Sequence, residues 1–395
     1  MPGNRVPFVH NPHDGTHNEL VDTSASSALY SDLTARDDVL AKLFEPITLR
    51  GITFRNRVWV SPMCQYSATS DGLADSWHLV HLGQFAVGGA GLVMTEATAV
   101  TPEGRISPFD TGLWADQHIE AWKPIVRFIQ EQGARAGIQL SHSGRKGSTA
   151  PPWVKQTYVT PADGGWTTVA PSAVAFGTLP TPAALDRDGI AEVIDNFRQA
   201  AIRASAAGFD VIELHAAHGY LLHQFLSPLS NHRTDSYGGD FVGRTRLLLE
   251  VFDAVHAVWP ADRPIFVRVS ATDWVEGGWD VDDTVQLSKL LAERGADLID
   301  CSSGGNAPDA KIPLAPGYQV GFAERVRGEA SIRTGAVGLI EHPQQAERIL
   351  ADGAADAIFL GRAMLREPHW ALLAANTLGV DLDWPAQYAR AKPHS

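Results

Sequence analysis

Two imidazoles and a phenol follow the apolar segment Val211-Ile212-Glu213-Leu214: His215, His218 and Tyr220. The HxxH spacing can supply two metal ligands, but a metal centre needs a third and a fourth. At the neighbouring segment ends the nearby acids read from the sequence are Glu96 and Glu213. The rings can instead fill a core. Or both can donate hydrogen bonds to one substrate oxygen and polarise it, while Tyr220 delivers a proton.

Other polar residues interrupt apolar runs in the same way. Arg268 sits inside Phe266-Val267-Arg268-Val269-Ser270, and Gln139 inside Gly137-Ile138-Gln139-Leu140. A buried arginine needs an anionic or strongly polar partner, which a structural ion pair or a bound anion can provide. The turns Thr334-Gly335-Ala336-Val337-Gly338 and Leu360-Gly361-Arg362 carry glycines at the entry to helical segments. Their N–H groups and Arg362 can converge on a phosphate, or the glycines can simply permit tight turns. A phosphate cradle, a buried arginine and a fork-like glutamine together fit a phosphorylated planar cofactor.

Such residues must be positioned by regular elements, and the chain supplies them. Eight short apolar runs begin near Val58, Gly91, Ala136, Phe209, Pro264, Ala296, Ala330 and Asp356. Each suits a parallel strand buried on both faces. Amphipathic helical stretches alternate with them, several ending in Gly-Ala or Ala-Gly. Eight strand–helix units predict an α/β fold, a (β/α)8 TIM barrel. A doubly wound sheet usually shows a glycine fingerprint after its first strand, and Val58-Trp59-Val60-Ser61-Pro62 is followed by none. Two short runs around Arg50-Gly51 predict a β-hairpin ahead of the barrel. A long Pro-, Gly- and Trp-rich insertion follows the third strand, where long loops tend to be functional. Residues 1–42 read as an extension, disordered or laid over the surface. Residues 43–395 read as the barrel domain.

The barrel places the chemistry. Active sites of this fold form at the C-terminal strand ends, with the phosphate cradle after strands seven and eight. Those ends hold Pro62, Met63 and Cys64; Glu96 and Ala97; Gln139 to His142; His215 to Tyr220; Arg268; Cys301 and Ser302; Gly335 to Gly338; Gly361 and Arg362.

Composition narrows the partners. The net charge is −13. That argues against nucleic acid, which needs a basic surface, and gives no basic patch for a membrane. No apolar run is long enough to span a bilayer. The two cysteines, Cys64 and Cys301, form no disulfide framework. The expected compartment is the cytoplasm.

From about residue 43 the chain resembles the old yellow enzyme family of flavin-dependent ene-reductases. The likeness rests on LFEPITLRGITFRNRVWVSPMCQYSA, SHSGRKG, HAAHGYLLHQFLSPLSNHRTDSYGGDFVGRTRLLLEV and FLGRAMLREP. Cys64 before Gln65-Tyr66 is the pattern of the bacterial thermophilic-like subclass. The resemblance implies non-covalent FMN, with NADPH or NADH as hydride donor in a ping-pong cycle. Pro62, Met63 and Cys64 would line the flavin N5 side, and Ala97 and Gln139 the ring edge. Arg268 would face N1 and the C2 carbonyl. Val337, Gly338, Gly361 and Arg362 would hold the phosphate. His215 and His218 would bind the activating oxygen of an electrophilic alkene. Tyr66 would touch it, and Tyr220 would protonate its α-carbon. The resemblance further implies a homodimer or homotetramer, with Arg366 lent to a neighbour's site. A metal-dependent barrel hydrolase and a non-catalytic flavin-binding protein are the competing expectations.

Overall fold

The computed structural model describes residues 41–393. The expected extension 1–42 therefore lies outside the described residues, apart from Ala41 and Lys42. Among the described residues the chain begins with an antiparallel hairpin, β1 (Ile47–Leu49) and β2 (Ile52–Phe54). Eight parallel strands follow: β3 (Val58–Val60), β4 (Leu92–Ala99), β5 (Arg135–Ser141), β8 (Val211–Ala216), β9 (Ile265–Ser270), β10 (Leu298–Ser302), β11 (Arg333–Ala336) and β12 (Ala357–Leu360). They close into one barrel, with β12 hydrogen-bonded back to β3. Two two-residue strands, β6 (Val169–Ala170) and β7 (Ala183–Ala184), pair with each other in the long loop after β5. The (β/α)8 expectation and the hairpin are both realised.

The strands form where β-branched and aliphatic residues run without turn residues, because helices cover one face and the barrel interior the other. Several helices start at side-chain caps. Asp186, Asp240 and Asp280 each accept backbone N–H groups from the first turn of the helix that follows. The Arg187–Ala207 helix stops at Gly208, whose φ of 94° is the left-handed cap conformation.

The hairpin plugs the N-terminal end of the barrel. Ile47, Leu49 and Phe54 pack with Trp59, Leu92, Val211, Phe266, Leu298 and Phe359 in a cluster separate from the main helix–sheet core. Trp59 stacks on Phe266 at 5.6 Å and meets Phe359 edge-on at 5.4 Å. Side chains two residues further along each strand share the same face. The interior above the plug is therefore lined by Ser61, Glu213, Arg268 and Asp300. A further two residues up stand Met63, His215, Ser270 and Ser302. The register of β4 against β5 shifts between Met94 and Ala97, which sets Ala97 opposite Gln139. Such a bulge re-aims side chains at a barrel rim.

Candidate active site

His215 is the penultimate residue of β8, and beyond Ala216 the chain turns sharply. His218 has φ 58° and Gly219 φ 72°. A Cβ on Gly219 would lie 2.2 Å from the Gly305 carbonyl oxygen, so only glycine fits. The turn is held from several sides. Ser270 Oγ accepts from the His218 N–H at 2.9 Å. The Lys146 ammonium donates to the carbonyls of His218 and Gly305, both at 2.8 Å. The Gly219 N–H donates to Nδ1 of buried His223, whose Nε2 is 3.1 Å from Asp273.

The two imidazoles converge. His218 Nδ1 lies 3.4 Å from His215 Nε2. The Ala217 N–H donates to His215 Nδ1 at 3.2 Å, which leaves the proton on His215 Nε2. His218 Nε2 is 2.7 Å from Ser302 Oγ. If that hydroxyl donates, His218 carries its proton on Nδ1, and the two neighbouring ring nitrogens are both N–H donors. Burial, reinforced by the charge of Arg268, holds both imidazoles well below the ordinary imidazole value, so both are neutral at physiological pH. The Tyr220 ring stands 4.9 Å from that of His215, and burial pushes its hydroxyl well above the usual phenol value. It stays a proton donor.

Tyr220 lines a cavity of about 480 Å³ together with Tyr66, Ile106, Lys146, Phe176 and loop residues 149–179. Lys146 packs over Phe176 at 4.5 Å and Tyr220 at 5.3 Å. The loop after β5 thus walls this cavity. Arg145 fixes its root, donating to the Asn306 carbonyl at 2.7 Å and side chain at 2.9 Å.

The segment Pro62–Tyr66 forms another wall. Tyr66 has φ 52°, in the left-handed region. Glu96 holds the segment by accepting the Gln65 N–H at 2.9 Å, and its other oxygen meets His78 Nε2 at 3.0 Å. His78 also faces the Asp75 carboxylate at 3.0 Å. Burial works against a charge on His78, but Glu96 and Asp75 outweigh it and hold its pKa above the ordinary imidazole value. A pKa raised on folding stabilises fully below the unfolded value, and the contribution fades as pH rises through the raised one. His78→Gln should therefore lower the thermal midpoint at slightly acid pH and do so less at mildly alkaline pH. A deficit that grew with pH would contradict this pairing. Cys64 is pushed well above the usual thiol value by burial, then by Asp110 and Glu96, so it is a neutral thiol.

A second cavity of about 180 Å³ lies at the ends of β10, β11 and β12, lined by Ser302, Tyr318, Val337, Gly338, Gly361 and Arg362 among others. Gly338 has φ 119°, a backbone open to glycine alone. At Gly361 a Cβ would find no atom closer than Met63 Sδ at 3.6 Å. Protein packing does not demand that glycine. It leaves a hollow beside the Arg362 charge, which suits the phosphate of a bound FMN. Gly335 belongs to a different role: a Cβ there would lie 2.3 Å from the Phe359 ring, so it serves strand packing.

The structure adds partners that the sequence did not show, and it corrects the expected set of acids near the strand ends. Arg268 has an ion-pair partner, Asp300, at 3.1 Å, and Gln139 donates to Glu213 at 2.8 Å. The acids near the strand ends are not Glu96 and Glu213 alone, because Asp110 and Asp300 are buried there too. No group of three or more His, Cys, Asp or Glu side chains among the described residues is placed to hold a metal. Arg366 lies outside both cavity linings and pairs with Glu341 at 2.5 Å. Lys146, Asp110 and His78 were not singled out as site residues, because loops and the barrel closure bring them in from distant segments. No helix among the described residues is long and apolar enough to cross a membrane.

Comparison with known proteins fits this geometry. Residues 42–379 match the NADH:flavin oxidoreductase / NADH oxidase family. The chain is 47% identical over 351 residues to an NADPH dehydrogenase of Halalkalibacterium halodurans, covering 89% of this chain and 98% of that one. It is 49% identical over 350 residues to that of Geobacillus thermodenitrificans, covering 88% and 98%. The solved structure of morphinone reductase superposes with a TM-score of 0.73 at 30% identity, covering 89% of this chain and 93% of that one. An old yellow enzyme homologue from Zymomonas mobilis gives 0.71 at 26% identity, covering 90% and 100%. The chain belongs to the NADH:flavin oxidoreductase / NADH oxidase family, and it is an NAD(P)H-dependent enzyme with FMN as cofactor.

Proposed function

We propose that this enzyme is an ene-reductase that reduces activated C=C bonds, in α,β-unsaturated carbonyls, maleimides and nitroalkenes, by a ping-pong mechanism. The observation that carries the reading is the close approach of two neutral imidazoles, one of them beside a protonated tyrosine that lines a mostly apolar cavity. FMN, when bound, would supply hydride-transfer chemistry between NAD(P)H and the alkene. The protein does the rest.

Val337, Gly338, Gly361 and Arg362 would hold the phosphate. Pro62, Met63, Cys64, Ala97, Gln139 and Arg268 would surround the ring. His215 Nε2–H and His218 Nδ1–H would both donate to the carbonyl or nitro oxygen. Negative charge builds on that oxygen as hydride arrives, so the donors bind the transition state more strongly than the ground state. Their neutrality matters, because no proton is lost to the oxygen itself. Tyr220 would give its proton to the α-carbon, and the tyrosinate would recover a proton from solvent through the open cavity. Tyr66 and Phe176 would wall the substrate, together with other residues of the loop after β5.

The role of Tyr220 has a direct test. Tyr220→Phe should slow reduction of a cyclic enone by one to two orders of magnitude, in the range of general-acid catalysis. A nitroalkene should lose less, because its nitronate product can leave unprotonated. Equal rates for wild type and variant with the enone would refute the assignment.

Cys64 is assigned a tuning role. A neutral thiol beside the ring acts through its dipole and bulk. Cys64→Ala should shift the flavin absorbance and midpoint potential while turnover stays measurable. Abolished turnover with FMN still bound would instead point to covalent chemistry at the sulfur.

A further inference from the structure

Beneath the substrate donors, the barrel interior holds a charged layer whose two carboxyls, Glu213 and Asp300, the reaction outlined above does not use. Glu213, Arg268 and Asp300 stand two residues above Val211, Phe266 and Leu298 of the apolar plug. Arg268 and Asp300 are register partners on β9 and β10, and Gln139 and Glu213 on β5 and β8. Glu213 and Asp300 are fully buried, and Arg268 is 5% exposed. Arg268 Nη2 donates across the interior to Ser61 Oγ at 3.1 Å, and Gln139 Nε2 donates to Glu213 Oε1 at 2.8 Å.

The layer is incompletely satisfied. Arg268 Nε is 3.1 Å from Asp300 Oδ2 but misaligned for a hydrogen bond. Glu213 Oε2 and both Asp300 oxygens have no hydrogen-bond partner. With both carboxyls ionised the layer would carry one uncompensated negative charge, which burial strongly disfavours. One bound proton makes it neutral. Burial raises both carboxyls, while Arg268 pulls Asp300 back more effectively, so the proton belongs chiefly to Glu213. The groups facing Glu213 are Asp300, Arg268, Gln139 and, on its own strand, His215.

We propose that Asp300 and Glu213 are positioning residues that set the flavin's midpoint potential through Arg268 and Gln139, and that the carboxyl pair holds one shared proton at neutral pH. The proposal rests on the reading that Arg268 faces the FMN ring. Asp300 partly cancels the arginine charge that favours reduced FMN. Glu213, being protonated, adds no charge until the pH rises above neutral.

The test is the midpoint potential and FMN dissociation constant of the holoenzyme from pH 6 to about 10, a range that brackets carboxyls raised by burial. Asp300→Asn should raise the potential, shifting the reduced-to-oxidised FMN affinity ratio at least tenfold, about 30 mV for a two-electron couple. Wild type should show a steeper fall of the potential at alkaline pH, and Glu213→Gln should abolish that fall while leaving the potential unchanged at pH 7. Equal potentials for Asp300→Asn and wild type, or a Glu213→Gln shift at pH 7 as large as that of Asp300→Asn, would overturn the proposal. Arg268→Met separates the two layers of argument. If it changes neither potential nor FMN affinity, the placement of Arg268 fails; if it changes them while both carboxamides are silent, only the present proposal fails. Should a carboxamide variant not fold, infrared spectra of the wild-type protein decide: a protonated buried carboxyl band at neutral pH supports the shared proton, and its absence refutes it.

Discussion

His215→Ala and His218→Ala should each slow alkene reduction by about a hundredfold, or ~3 kcal/mol of transition-state stabilisation. The size follows from what is lost. One N–H aimed at a developing negative charge disappears from a buried, water-poor site, where such a bond is worth far more than in water. The loss should fall on the step in which the alkene accepts hydride. Reduction of the flavin by NADPH should suffer less, since no enolate forms there. FMN should stay bound, because neither ring lines the phosphate cavity. Both imidazoles are neutral across the physiological range, so the wild-type rate should show no inflection from them near the ordinary imidazole pKa. Loss of FMN in either variant would make the pair structural.

The second large effect is on cofactor retention. Gly361→Ala with Arg362→Ala fills the hollow and removes its charge. The new Cβ at Gly361 meets nothing closer than 3.6 Å, so the apoprotein should keep its thermal midpoint. Charge-assisted hydrogen bonds contribute roughly 1.5–3 kcal/mol each, so FMN affinity should fall at least ten- to hundredfold. Isothermal titration of the apoprotein with FMN measures it. Unchanged affinity would place the phosphate elsewhere.

Much of this was legible in the sequence, for physical reasons. All eight barrel strands were readable because parallel strands buried on both faces leave unbroken apolar runs. The clearest helices were readable from their amphipathic periodicity and from the Gly-Ala or Ala-Gly that stops several of them. His215, His218, Tyr220 and Arg268 were conspicuous because each interrupts or ends such a run. Asp300 carried the same signal, an acid inside Leu298-Ile299-Asp300-Cys301, yet its meaning needs Arg268 beside it, which only the register of β9 and β10 supplies. Lys146 and His78 were illegible. Lys146 lies in a loop with no periodicity, and His78 sits on a helix where its partners Asp75 and Glu96 come one from the cap and one from another strand. Gly335 was misleading, because a glycine demanded by an aromatic neighbour looks the same in sequence as one demanded by a turn.

The central claim is that one pocket holds alkene and donors together, with the paired histidines acting on the substrate oxygen. Anaerobic stopped-flow of the two half-reactions tests it most directly. Holoenzyme is first reduced with NADPH and then mixed with a cyclic enone, for wild type, His215→Ala, His218→Ala and Tyr220→Phe. The account predicts flavin reduction within a few-fold of wild type in all three variants and reoxidation by the enone slowed by one to two orders of magnitude. Reoxidation at the wild-type rate in all three would contradict it and put the reacting alkene elsewhere on the barrel.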